Sequence, residues 1–253
     1  MDLLSAQSRI IQAGFLLAMG ALWYYATASG GVHRLLLPPP GEVWKTFYGL
    51  IQTEEFWRSV KVTFWSITQA YFMAASAGIL AGYLLTRSKL ITDIMEPVLS
   101  GLFTVPLTLL LPIFILFFGI GPASKIAYGA TYAFFPVALN TIAAFAHVEE
   151  RWLRAAQSMG ASRWSTFRHV LIPSAFPVVI TGLRIGFVIC FASVLGGETI
   201  ASAVGIGHNI SLSAEQMEPG RLYAWIAFVT ITAVALNLLL SAVENRIVKR
   251  DRR

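Results

Sequence analysis

The chain has 253 residues, of which 56% are hydrophobic and only 13% charged, and its mean hydropathy is +0.66. Soluble domains carry about 25% charged residues, so a soluble globular domain, a disordered chain and a collagen-like chain are all excluded, and the single cysteine, Cys190, removes a disulfide scaffold and a multi-cysteine metal site. The formal net charge of +6 lies in the gaps between apolar runs, with five of the 19 basic residues from Arg246 to Arg253, a pattern of membrane topology rather than of a nucleic-acid-binding face.

Crossing a hydrocarbon core takes about 20 helical residues, and six apolar stretches approach or exceed that length. The first covers residues 10–28. It follows Arg9, and Ala26-Thr27-Ala28 resembles a signal-peptide cleavage site. However, the run exceeds the usual apolar core of about 7–15 residues, and Trp23, Tyr24 and Tyr25 suit an interfacial belt. Leu37-Pro38-Pro39-Pro40 then stops the chain, and residues 41–51 read as a short helix at the interface.

The second span covers 62–86 and contains Gly78 and Gly82, a G-x-x-x-G spacing that is a weak packing signal. The third covers 99–120. Pro106 and Pro112 interrupt it and should kink it, which makes it a candidate wall of a transport pathway. The fourth covers 126–146. A polar interval, 147–173, precedes the fifth span, 176–195. Arg184 lies inside that span, either as a functional charge or snorkelling to the headgroups. Glu198 stands at its far end, placed either to line a pathway or gate or to cap the glycine-containing segment 196–220. The sixth span covers 222–243. The expected fold is therefore all-α, a polytopic membrane protein with about six transmembrane helices.

An even number of spans puts both termini on one side. That side carries twelve Lys and Arg residues against six on the other, so the positive-inside rule places both termini in the cytoplasm.

No G-x-x-x-x-G-K-[ST] is present, so the chain has no P-loop for ATP. There is no H-E-x-x-H and no G-x-S-x-G, and the four histidines are scattered. Nothing in the sequence points to a catalytic residue, a metal or another cofactor.

The interval 147–173 is the longest polar stretch on the expected cytoplasmic side. Glu149 and Glu150 open a short helix to Met159, where the helix dipole favours anions. Gly160 breaks it. Ser162 is positioned to cap a second helix from Arg163 to Leu171, and Pro173 should limit that helix at about Ile172. Trp164, Phe167, Val170 and Leu171 recur at helical spacing, giving an apolar face. The expectation is a two-helix elbow between spans 4 and 5. The bland alternative is an amphipathic loop lying on the inner leaflet.

The elbow resembles the cytoplasmic signature loop of ABC-importer permease subunits. That family's motif runs Glu-Ala-Ala, three residues, Gly, nine residues, then Ile-x-Leu-Pro. Here Arg154-Ala155-Ala156 precedes Gln157-Ser158-Met159 and Gly160, and nine residues later stand Val170-Leu171-Ile172-Pro173. The departure is Arg154, in the place of the family's Glu. Leu37-Pro38-Pro39-Pro40, Thr104-Val105-Pro106 through Phe118-Gly119-Ile120-Gly121, Gly182-Leu183-Arg184, Gly197-Glu198 and Gly205-Ile206-Gly207 resemble the subfamily that imports nitrate, sulfonates, taurine and related small solutes.

The resemblance implies that residues 1–253 form one permease domain of the cell (inner) membrane. Two copies would form the pathway, two cytosolic ATPases would dock beneath, and an extracytoplasmic binding protein would deliver a small polar or anionic solute. It implies no covalent chemistry in this chain, with ATP bound by the partner subunit. Arg154, Ala155, Ala156, Gly160, Trp164, Phe167 and Pro173 are the implied ATPase-coupling residues. The contrasting class is a standalone channel or secondary carrier, which needs no docking elbow and more often shows several charges in its spans.

Overall fold

A computed structural model describes the backbone of residues 2–251, and the side chains from residue 11 onward except those of 13, 16, 107, 245 and 247–253. Every regular element among the described residues is helical. The chain forms two compact units, residues Met1–Arg58 with Asn209–Ile231, and Ser59–His208 with Thr232–Arg253.

In the first unit, α1 (Asp2–Ala28) occupies the first expected span, although that span begins at Ile10, whose side chain lies outside the described residues. Helix α2 (Pro40–Leu50) follows the Pro-rich stop with Pro40 in its first turn, where the missing N–H has no partner to lose. Val43 and Leu50 are buried, while Trp44 and Tyr48 face outward. Helix α3 (Glu54–Leu85) starts where the Thr53 hydroxyl accepts the Phe56 N–H at 3.2 Å. Its first residues pack on the beginning of the last helix: Phe56 stacks on the fully buried Trp225 at 5.1 Å, and Arg221 bonds both oxygens of Glu55 at 2.7 and 2.8 Å.

The second unit is organised by close helix approach. Helix α4 (Lys89–Thr104) is followed by a 3-10 turn (Leu107–Leu110) and α5 (Leu111–Phe118). A single kinked span over 99–120 is therefore corrected to a broken pair, bent by 75°. The cause is Pro106. It restricts Val105 to extended backbone (φ −63°, ψ 128°), which ends α4. Pro112 falls in the first turn of α5, where proline is tolerated and does not kink anything.

Helix α6 (Pro122–Ala146) begins four residues before the expected fourth span and packs most extensively against α9 (Ile172–Ile200). Gly182 and Gly186 of α9 lie against Asn140 and Val137 of α6, where an added Cβ would stand 2.5 Å from each side chain. Gly78 and Gly82 of α3 face Val137, Ala138 and Thr141 in the same way. Small residues let backbones meet at van der Waals distance where lipid supplies no hydrophobic drive. Ile67, Ala70, Ala133, Cys190 and Val194 form the core of this contact.

The short helices α7 (Glu150–Ser158) and α8 (Arg163–Thr166) precede α9, and α10 (Ile206–Glu215) and α11 (Pro219–Asp251) follow it. Segment 196–220 is thus mostly helical rather than a loop. Gly196 and Gly197 lie within α9, and positive φ is confined among these glycines to Gly205, at 112°. Among the described residues, four helical runs, α3, α6, Arg163–Ile200 and Pro219–Glu244, are long and apolar enough to cross a membrane, and the α4–α5 pair makes a fifth crossing if counted as one span.

Candidate functional site

The elbow forms as its residue types dictate. Glu149 pairs with Arg151 and Glu150 with Arg154, all four side chains more than half exposed, so each pair contributes no more than about 0.5 kcal/mol. Arg154 thus makes its partner one helical turn back in its own helix. The turn closes in a Schellman arrangement: Ala161 N–H donates to Ala156 O at 3.0 Å and Gly160 N–H to Gln157 O at 2.9 Å. Gly160 is at φ +73°, the left-handed region that glycine enters without a Cβ penalty. Ser162 caps α8 by accepting the Ser165 N–H at 3.2 Å.

Pro173 does not limit the second elbow helix. A π turn, Phe167–Leu171, joins α8 directly to α9, so Arg163–Ile200 is one helical run of 38 residues. The wider turn, closed by Ile172 N–H on Phe167 O, moves the carbonyls that a proline ring would otherwise strike and omits the N–H that Pro173 lacks. Of the elbow's side chains, Ala156 is buried, Ala155 exposed, and Trp164 67% exposed. Phe167 is half-buried, between Trp164 at 5.6 Å and Tyr83 at 5.4 Å. A cleft of about 530 Å³ opens between the two arms, lined by Ala155, Ala156, Met159, Ser165 and His169 among others.

Arg184 is paired with the last helix. Its Nη1 donates to Glu244 Oε2 of α11 at 2.7 Å and its Nη2 to Asn237 Oδ1 at 3.1 Å, while Thr181 donates to Glu244 Oε1 at 2.8 Å. Leaving a charged partner unpaired in such a place costs about 1–3 kcal/mol. Arg184→Leu is expected to lower the thermal midpoint of the purified protein in detergent, and adding Glu244→Leu to recover most of the loss. A double variant no better than the single one would show that the loss does not come from leaving Glu244 unpaired.

Glu198 is 3% exposed. Thr63 Oγ1 of α3 donates to its two oxygens at 3.0 and 2.9 Å, and Gly207 N–H donates to Oε2 at 3.0 Å. Ile206 N–H donates to Thr63 Oγ1 at 2.9 Å. Glu198 therefore caps the N-terminus of α10. Glu198 and Arg184 are fourteen positions apart on α9, about 21 Å along the axis, so the structure does not bring them together. Pro106 lies in the α4–α5 break, and Pro112 in the first turn of α5.

Sequence reasoning missed Thr63 and Lys125. Lys125, one of the six basic residues on the expected extracytoplasmic side, is 1% exposed, with Nζ donating to Ile120 O at 2.8 Å and Ser124 Oγ at 3.1 Å. The signal was available: Gly121-Pro122 marks a helix start, which places Lys125 inside the first turn. Among the described residues, no cluster of three or more His, Cys, Asp or Glu could hold a metal ion.

These features define a class: a polytopic helical membrane protein whose long helix α9 runs unbroken out of an exposed two-helix elbow. Residues 74–253 match the family of binding-protein-dependent transport system inner membrane components, and the chain belongs to that family. It is 30% identical over 242 residues to the taurine transport system permease protein TauC of Escherichia coli (strain K12), covering 94% of this chain and 88% of that one. It is 26% identical to the putative aliphatic sulfonates transport permease protein SsuC of Bacillus subtilis (strain 168), covering 90% and 83%. Its fold is shared with a bacterial ABC transporter involved in the import of the acidic polysaccharide alginate, at a TM-score of 0.61, 15% identity, and coverage of 98% and 99%. The protein is the transmembrane permease subunit of an ATP-binding-cassette importer of the inner membrane.

Proposed function

We propose that the elbow is the docking point for a separate cytosolic ATPase, and that the whole chain works as one permease domain moving a small polar or anionic solute by alternating access. Two copies form the pathway and an extracytoplasmic binding protein delivers the solute. Both termini and the elbow face the cytoplasm. The observation that carries this reading is the continuity of the rigid, exposed elbow with α9 across Arg163–Ile200. A stiff protrusion on a spanning helix passes on displacement that a flexible loop would absorb. The names of the taurine and sulfonate relatives support an organosulfonate-like solute. Lacking a P-loop, this chain must receive its ATP-driven force from a partner.

The test is orientation and partnership together. Single cysteines at Ser162 and Gln216, both exposed, are introduced in a Cys190→Ala background. (Ser213, buried and bonded to Asn209 O at 2.7 Å, is unsuitable.) They are expected to react with impermeant reagents from opposite sides, and a P-loop ATPase from the same host to co-purify. Labelling from one side overturns the topology. Solute uptake by the purified chain without an ATPase would favour a standalone channel or carrier.

A further inference from the structure

The helical run Arg163–Ile200 carries the elbow at one end and Glu198 at the other, roughly 50 Å apart at the helical rise. The first N–H groups of any α-helix lack partners within it. At the start of α10, two of these are taken by side chains from two other helices: Gly207 N–H by Glu198 of α9, and Ile206 N–H by Thr63 of α3. Thr63 and Glu198 are in turn bonded to each other. The fit leaves no slack. A Cβ on Gly205 would stand 2.5 Å from the Glu198 carboxyl carbon, and one on Gly207 would stand 2.6 Å from Glu198 Cβ. Behind them, the Lys125 stem packs on Gly197.

We infer that Thr63 and Glu198 are positioning residues that lock the start of α10 to α9 and α3, so that displacement of α9 is delivered to α10 at the end of the helix remote from the elbow. The inference rests on the reading that the elbow receives the ATPase's force. The latch acts by keeping α10 in register with the moving helix.

The test uses the permease reconstituted with its ATPase and binding protein in liposomes, reading solute moved per ATP hydrolysed, together with hydrogen exchange at residues 206–215. Thr63→Val removes one hydroxyl at constant volume, and Thr63→Ser restores it. Glu198→Gln replaces one acceptor oxygen with a donor. Thr63→Val and Glu198→Gln are expected to lower solute per ATP about tenfold and speed exchange at 206–207, with ATPase co-purification retained; Thr63→Ser is expected to behave as wild type. Should Glu198→Gln not assemble, Thr63→Val decides alone. Wild-type coupling and exchange in Thr63→Val overturn the inference, as does Thr63→Ser failing alongside Thr63→Val, or Thr63→Val failing to assemble. If the wild-type chain itself binds no ATPase, the docking reading fails instead, and unchanged exchange in Thr63→Val would separately sink the latch.

Discussion

Gly160→Val is expected to abolish coupled transport while leaving the membrane part folded. At φ +73° a β-branched side chain meets its own backbone, a penalty of about 1–2 kcal/mol or more. An added Cβ meets no other atom within 4 Å, so the effect is purely conformational. Relief comes only by opening the Schellman turn, which would free the Ala161–Ala156 and Gly160–Gln157 hydrogen bonds and swing α7 away from α8. Helix α9 starts after the turn and keeps its contacts with α6. The measurement is paired: ATPase co-purification in detergent, and solute-stimulated ATP hydrolysis in liposomes. Retention of both at wild-type levels would show that the angle of the elbow does not matter. Gly160→Ala should show a milder form of the same loss.

Gly82→Val is expected to prevent accumulation of the folded protein altogether. Its Cβ would lie 2.6 Å from Thr141 Cβ and 2.8 Å from Ala138 O. The second contact is backbone, so no side-chain rotation can relieve it. Overpacking of this kind costs about 1–3 kcal/mol even where side chains can give way, and here α3 must leave α6. Thr141→Gly in the same chain removes only one of the two contacts and should rescue little. The check is membrane-fraction yield and thermal midpoint. Near-normal yield for Gly82→Val would mean that α3 and α6 are not packed as described. The companion position Gly78, 2.8 Å from Val137 on the same measure, should show the same failure in reduced form when paired with Val137→Ala.

The elbow was the most legible part of the sequence because its signals are local. Gly160 and Ser162 act through hydrogen bonds within a few positions, and each does what its residue type predicts. The reach of α9 was not legible, because Pro173 reads as a stop unless a π turn precedes it, and no residue type announces a π turn. Helix α4 was missed over Lys89–Val98: Lys89, Asp93 and Glu96 lower its apolarity, so a hydropathy window starts too late. The partners of Glu198 and Arg184 lay beyond local pattern. Thr63 is 135 positions from Glu198, and Glu244 is 60 from Arg184. The residues were conspicuous as charges in apolar surroundings, which flagged them but left their roles open between pathway, cap and snorkel. The weak G-x-x-x-G of span two proved structural, facing α6 at both glycines.

The Arg184–Glu244 pair also bears on how the protein is made. Arg184 is synthesised sixty residues before Glu244. An unpaired arginine near the middle of an inserted helix is opposed by about 2.5–3.5 kcal/mol. Both partners of the Arg184 guanidinium, Glu244 and Asn237, belong to the last helix, so translation supplies them only after α9 is complete. The order of synthesis therefore makes the docking of α11 on α9 the step that pairs this charge.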